Sequence, residues 1–232
     1  MALIRFGGGI TQMSGSIAGN TFARNRYGNY SRSRTKPVNP SSTLQAGIRA
    51  ALAQLTTRWA HTVTPVQRTA WNLYGTSVAM KNRLGETVYL SGFNHYLRSN
   101  IKALRAGIAV VDAAPSIFEL PEKDAALAIT ATAATDQITV TFNATLDWCK
   151  ETGGHMFLLG GEPQNPQRNF FKGPYKNAGQ FDGNTGVPIV SPQTANSPYP
   201  LSAGQRIWIA VRIMRADGRL SEEFRANCFC GA

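Results

Sequence analysis

The chain has 232 residues, 43% of them hydrophobic and 16% charged, and a formal net charge of +11. That is enough apolar material for a packed core in one large domain or two small ones, with less charge than the roughly 25% usual for a free soluble domain. No run of about 18 apolar residues occurs and Met1–Gly9 lacks the apolar stretch of a signal peptide, so neither a membrane span nor secretion is expected; three cysteines (Cys149, Cys228, Cys230) make no disulfide framework.

The charge is local. Residues 1–85 hold 11 cations (Arg5, Arg24, Arg26, Arg32, Arg34, Lys36, Arg49, Arg58, Arg68, Lys81, Arg83) and no carboxylate, whereas residues 86–232 hold 13 basic and 13 acidic groups. A cationic third joined to a neutral remainder points to a negatively charged partner, attracted through the summed field.

Residues 1–40 are rich in Gly, Ser, Asn and Arg. Within them Phe22, Arg24 and Arg26 alternate, as do Tyr30, Arg32 and Arg34, around Tyr27-Gly28-Asn29, where Gly and Asn accept the positive φ of a tight turn. This predicts a basic β-hairpin arm. With almost no Leu, Ile or Val it has no core of its own, and must lie on another surface or stay mobile. Lys36 to Pro40 is expected to extend the chain, because each proline biases the preceding residue away from helix.

Residues 41–112 are predicted to form a helical unit. A first helix spans about 42–60, capped by Ser42 or Thr43, with Leu44, Ile48, Leu52, Leu55 and Trp59 as its apolar stripe. Thr64-Pro65-Val66-Gln67 is a capping box with proline at the first helical position, and Trp71, Tyr74 and Val78 line the buried side of that second helix. Gly85-Glu86 predicts a turn and Thr87–Leu90 a short strand. A third helix at about 91–105 presents Phe93, Tyr96, Leu97, Ile101 and Leu104, and stops at Gly107.

Beyond Ala113-Ala114-Pro115 the apolar period becomes two. Strands are expected at 127–133 and 137–142 around Asp136, at 155–159, at 205–214 ending in Asp217-Gly218, and at about 223–229. The Pro-rich stretch 161–203 is too long for a structureless loop, and is read as holding an unplaced strand or an excursion toward a partner. Residues 113–232 therefore suggest an antiparallel β-sandwich. The fold class is α+β: a hairpin arm, a three-helix unit and a C-terminal sandwich.

The residues give no catalytic constellation. His61, His95 and His155 are far apart and show no metal spacing; no phosphate loop and no Gly-x-Ser-x-Gly elbow occurs. Glu222-Glu223 beside Arg219 and Arg225 read as a solvated strand edge. Cys228 and Cys230 fall on one strand face and do not bridge each other. The expectation is a protein that is not an enzyme, with no catalytic residue, metal site or cofactor. The candidate partner-binding residues are Phe22, Arg24, Arg26, Tyr27, Tyr30, Arg32, Arg34 and Lys36. Arginine beside aromatics suits an acidic protein surface, through bidentate pairs and buried rings. It also suits single-stranded nucleic acid, and a hairpin that is merely solvated is a third reading. Lysine would be more abundant in a phosphate binder, and the small polar residues fit strand addition to a partner's edge.

Ser14-Gly-Ser-Ile-Ala-Gly-Asn-Thr-Phe-Ala-Arg-Asn-Arg-Tyr-Gly-Asn-Tyr30, with Arg32–Pro40, Gln45, Ala70-Trp71-Asn72-Leu73-Tyr74, Asn82-Arg83-Leu84-Gly85 and Leu90-Ser91-Gly92-Phe93-Asn94, resembles an uncharacterised family encoded by bacteriophages and prophages. The run from Gly204 through Asp217-Gly218 to Ser221 is similar to the last hairpin of immunoglobulin-like or fibronectin type III-like domains, though no Cys…Trp…Cys spacing accompanies it. The resemblance implies a virion protein, assembled in the host cytoplasm and present in many copies or as a homo-oligomer. Its partners would be major capsid or tail proteins, and its first role capsid decoration or cementing. A tail or head–tail connector component, a nucleic-acid-binding protein, and a carbohydrate-binding adhesin using Phe170, Phe171, Tyr175 and Tyr199 are the alternatives.

Overall fold

A computed structural model describes residues 2–36, 38–82 and 84–232; the expectations at Pro37 and Arg83 lie outside the described residues. The protein is α+β, with three helices and thirteen strands among those residues.

Strands β1 (Ala2–Ile4), β2 (Gly15–Ile17), β3 (Asn20–Asn25) and β4 (Gly28–Ser33) make an antiparallel sheet in the order β1-β4-β3-β2. The hairpin expected from the Arg alternation is its β3–β4 pair. Its turn lies at Arg26-Tyr27 rather than at Tyr27-Gly28-Asn29, since Asn25 already faces Gly28 in the ladder. The Asn25 side chain fixes this earlier turn by accepting from Tyr27 N at 2.9 Å.

The helices are α1 (Thr43–His61), α2 (Pro65–Ser77) and α3 (Gly92–Arg105). Each starts on a side-chain cap: Ser42, Thr64 and Ser91 accept from the backbone N–H three residues on. At Thr64 the box is complete, with Gln67 Oε1 accepting from Thr64 N at 2.9 Å. Leu55, Val63, Trp71, Tyr74, Val78 and Tyr96 form their shared core. The backbones of α2 and α3 meet at two glycines. A Cβ on Gly75 would stand 2.6 Å from Leu90 O, and one on Gly92 2.5 Å from Trp71 C. A hairpin of β5 (Ala79–Lys81) and β6 (Thr87–Tyr89) lies between them.

Three expectations for the helices need correction. The α1 stripe is buried only toward its end: Leu55 is fully buried, but Leu44, Ile48 and Leu52 stay 59%, 43% and 42% exposed. At 1.5 Å per residue α1 is about 28 Å long and its partners about 20 Å, so its first turns run past them. His61 is the last residue of α1, not a residue beyond it. On α3 the buried arc is displaced from the stripe: Tyr96 is buried, Phe93, Leu97, Ile101 and Leu104 are half-buried, and the arc takes in His95, Ser99, Asn100 and Ala103. The physical reason is that α3 is covered by helices on one side and by a sheet on the other.

That sheet holds β7 (Ala128–Thr132), β8 (Gln137–Thr141), β9 (His155–Gly161), β10 (Tyr175–Asp182), β11 (Gln193–Asn196), β12 (Arg206–Met214) and β13 (Phe224–Gly231). Their order is β10-β9-β12-β13-β7-β8-β11. All ladders are antiparallel except β13–β7, where only Cys230↔Ala131 and Gly231↔Thr132 pair, in parallel. The terminal strands β10 and β11 approach each other, so the order nearly closes. Ile129, Ile138, Val140, Met156, Leu158, Phe181, Ile207, Ile209, Val211 and Ile213 fill the interior, the alternation that period 2 demands. The 161–203 stretch holds two strands, β10 and β11, both paired within the chain. Its first part folds back over the outer sheet face, where Phe171 packs where a Cβ on Gly161 would be.

The helices join the sheet through Ala103, Phe157, Met214 and Leu220. Arg98 bolts the joint, donating to Leu220 O at 2.5 Å and Ser221 O at 2.6 Å; burial, then the Arg212 charge, pushes its guanidinium down to about 10. The segment after α3 is also fastened. Asp112 accepts both Arg58 Nε and Nη2 and the Tyr96 hydroxyl, and Asn100 exchanges two bonds with the Val111 backbone.

Candidate functional site: the N-terminal cationic sheet

The ladder register sorts the candidate side chains by face. Phe22 and Arg24 share one face with their partners Ser31 and Asn29. Tyr30 and Arg32 share the other, with Ala23, Thr21 and Leu3. Arg24 and Arg32 therefore point to opposite sides of the sheet, and Arg26 sits in the turn. The two alternating runs do not build one cationic face; they clothe both faces of a thin sheet.

Arg24, Arg26, Arg32, Arg34 and Lys36 are all exposed, while Phe22, Tyr27 and Tyr30 are half-buried. Among the described residues none before Ala51 is buried. Of the cations in residues 2–85, Arg5 pairs with Glu86 and Arg58 with Asp112. The five cations of the hairpin region have no carboxylate partner among the described residues.

The sheet is tethered at its turn end. The Tyr27 hydroxyl accepts from Asn94 Nδ2, in the first turn of α3, at 3.0 Å. Beside it a groove of about 570 Å³ is lined by Leu3, Phe6, Ile10, Tyr27, Leu84 and Glu86. Sequence reasoning missed β1, β2 and this groove. Three-residue strands are too short for alternation to register; the run Ala2-Leu3-Ile4 was the available signal.

Elsewhere the chemistry is spare. Among the described residues no group of three or more His, Cys, Asp or Glu lies close enough to hold a metal ion. His155 Nδ1 lies 2.6 Å from Asp182 Oδ1. His95 is fully buried with both ring nitrogens unpartnered; burial, then the Arg98 charge, pushes it down to about 4. The cysteines are unbridged, and burial raises all three thiols, those of Cys149 and Cys228 to about 11, which disfavours the nucleophilic thiolate. The edge expected at Glu222-Glu223 is altered at Arg219, which is only 7% exposed and pairs with Asp217, while Glu222 pairs with Lys123 and Glu223 with Arg225. Of the aromatics considered for carbohydrate contact, Phe170 is exposed but Phe171 is buried, and Tyr175 and Tyr199 are half-buried. No helix is long and apolar enough to cross a membrane among the described residues.

No family model and no curated protein matches the chain. Among solved structures, the crystal structure of a family 76 glycoside hydrolase from a bovine Bacteroides thetaiotaomicron strain is similar over 47% of this chain at 15% identity, with a TM-score of 0.30. The chain spans 20% of that protein's length, and so slight a likeness carries no argument about fold or function.

Proposed function

We propose that this chain is a non-enzymatic structural protein of a bacteriophage virion, a capsid decoration or cement protein that binds acidic shell subunits through its N-terminal sheet. The observation that carries the reading is the set of five exposed cations, Arg24, Arg26, Arg32, Arg34 and Lys36, on a sheet with no buried residue and no carboxylate partner among the described residues. Such a sheet gains apolar burial and charge pairing only from a partner, and cations on both faces suit insertion between two acidic surfaces. The open edges of β1 and β2 offer backbone groups for strand addition. The finer fold assignment belongs to the same proposal: β7-β8-β11 and β10-β9-β12-β13 as the two layers of an immunoglobulin-like or fibronectin type III-like sandwich, joined at the short parallel pair.

The test is particle composition. The protein is quantified against the major capsid protein in gradient-purified phage, for the wild type and for Arg24, Arg26, Arg32 and Arg34 changed together to Ala. Abundant incorporation that the variant loses is expected. A few copies per particle would move the protein to the tail or connector. Its absence from particles, with DNA binding that falls steeply with salt, would replace this reading with nucleic-acid binding.

A further inference from the structure

A second cationic surface lies away from the N-terminal sheet. Where the end of α3 crosses β9 and β10, a groove of about 210 Å³ is lined by Ile48, Ile101, Lys102, Arg105, Phe157 and Leu159. It continues the uncovered stripe of α1 through Ile48. No carboxylate lines it, and Lys102 makes no ion pair among the described residues. Burial, then the neighbouring Arg212, pushes the Lys102 amine down to about 8; with no carboxylate in its lining, the groove sets positive charge beside an apolar wall.

The chain carries a matching shape elsewhere. In the segment 117–122, Ile117 and Phe118 are 48% and 42% exposed, and Glu119 and Glu122 are exposed without an ion pair among the described residues. The segment is held in place: Glu119 O accepts from Arg219, Pro121 is buried, and the Phe118 ring lies 6.4 Å from that of Tyr74. It cannot fill the groove of its own molecule, because Tyr74 packs on His95 near the start of α3 and the groove is at the other end, about 12 Å along the axis. Residues 1–85 of another copy bring no carboxylate. A dry cavity of about 150 Å³ accepts a benzene ring, so the groove is of a size for one aromatic side chain.

We propose that the groove at the end of α3 receives the 117–122 segment of a second copy, Phe118 seating against Phe157 and Leu159 while Glu119 pairs with Lys102 and Arg105. Donor and acceptor patches share no residue, so each copy gives one and takes one, and copies join either reciprocally as a pair or head-to-tail as a ring or filament. The proposal stands independently of the N-terminal sheet.

Sedimentation velocity over a concentration series tests it. The wild type self-associates, and the quadruple Arg→Ala variant of the N-terminal sheet does so equally. Lys102→Glu and Glu119→Lys each weaken association at least ~10-fold while melting like the wild type. Mixed one to one, they associate again, because the intact groove of one holds the intact segment of the other and the two reversed charges are themselves complementary. Ile48→Ser, a milder change to the groove wall, weakens association in the same direction. A wild type that stays monomeric at every concentration, single variants that associate as the wild type does, or a mixture that does not associate overturns the proposal.

Discussion

Asp112→Ala removes the carboxylate on which side chains from two helices, α1 and α3, converge. In the wild type the carboxylate accepts from Arg58 Nε at 2.8 Å, from Arg58 Nη2 at 2.6 Å and from the Tyr96 hydroxyl at 3.1 Å. Tyr96 is fully buried, so deleting its acceptor strands a phenol in the core, which costs about 1–3 kcal/mol. The paired hydrogen bonds to Arg58 add about 1 kcal/mol, discounted because that side chain is 37% exposed. A loss of about 2–4 kcal/mol follows, lowering Tm on the order of 10 °C for a chain of this size. Circular dichroism melts measure it, with Tyr96→Phe isolating the phenol. The loss must also depend on pH. The Arg58 hydrogen bonds, then that of Tyr96, hold the Asp112 carboxyl below its ordinary value. Its contribution is complete above about pH 4 and drains as pH falls through the folded value, so wild type and variant converge in acid. A variant within ~0.5 kcal/mol of the wild type at pH 7, or a gap that widens in acid, would refute the reasoning.

Gly92→Ala drives a methyl group into the α2 backbone, 2.5 Å from Trp71 C and Asn72 N; a loss of about 2–4 kcal/mol in urea titrations is expected, against a gain of about 0.5–1 kcal/mol for Gly47→Ala, which meets open space on the exposed side of α1. His95 ties stability to pH in the mildly acidic range. Its folded value of about 4 lies below the ordinary 6.5, so the unfolded chain binds the extra proton, and roughly 3 kcal/mol present above pH 6.5 is lost on the way down to pH 4. His95→Leu should flatten that part of the stability profile, and an unchanged slope would count against it.

The features that were legible in the sequence are those set by local physics. The Thr64–Gln67 box, the Ser42 cap and the alternation of 206–214 each need only neighbours within four residues, and each stands where the pattern put it. What stayed hidden depends on distant partners. Asp112 reads as a linker acid until Arg58 and Tyr96 are brought to it from 54 and 16 residues away. The exposure of Leu44 and Ile48 follows from helix lengths, not from the stripe. Tyr175–Asp182 hides as a strand because Asn177, Ala178 and Gly179 blur its alternation at a register shift. For the candidate site, the exposed arginines and their lack of carboxylates were readable, while their division between two faces required the β3–β4 register.

Helix α3 is the element that sets these surfaces against one another. Asn94 holds Tyr27 of the N-terminal sheet, Tyr96 fills the helical core, and Arg98 and Ala103 fix the C-terminal sheet. The joint to the C-terminal sheet is the stronger, since it combines a buried apolar contact with two charge-assisted hydrogen bonds to carbonyls. Among the described residues, the polar contacts of the joint to the N-terminal sheet are one neutral hydrogen bond and the exposed Arg5–Glu86 pair, worth about 1–2 kcal/mol together. The cationic sheet is thus held in position at its turn and left open along both faces, where a partner's carboxylates can outweigh that tether.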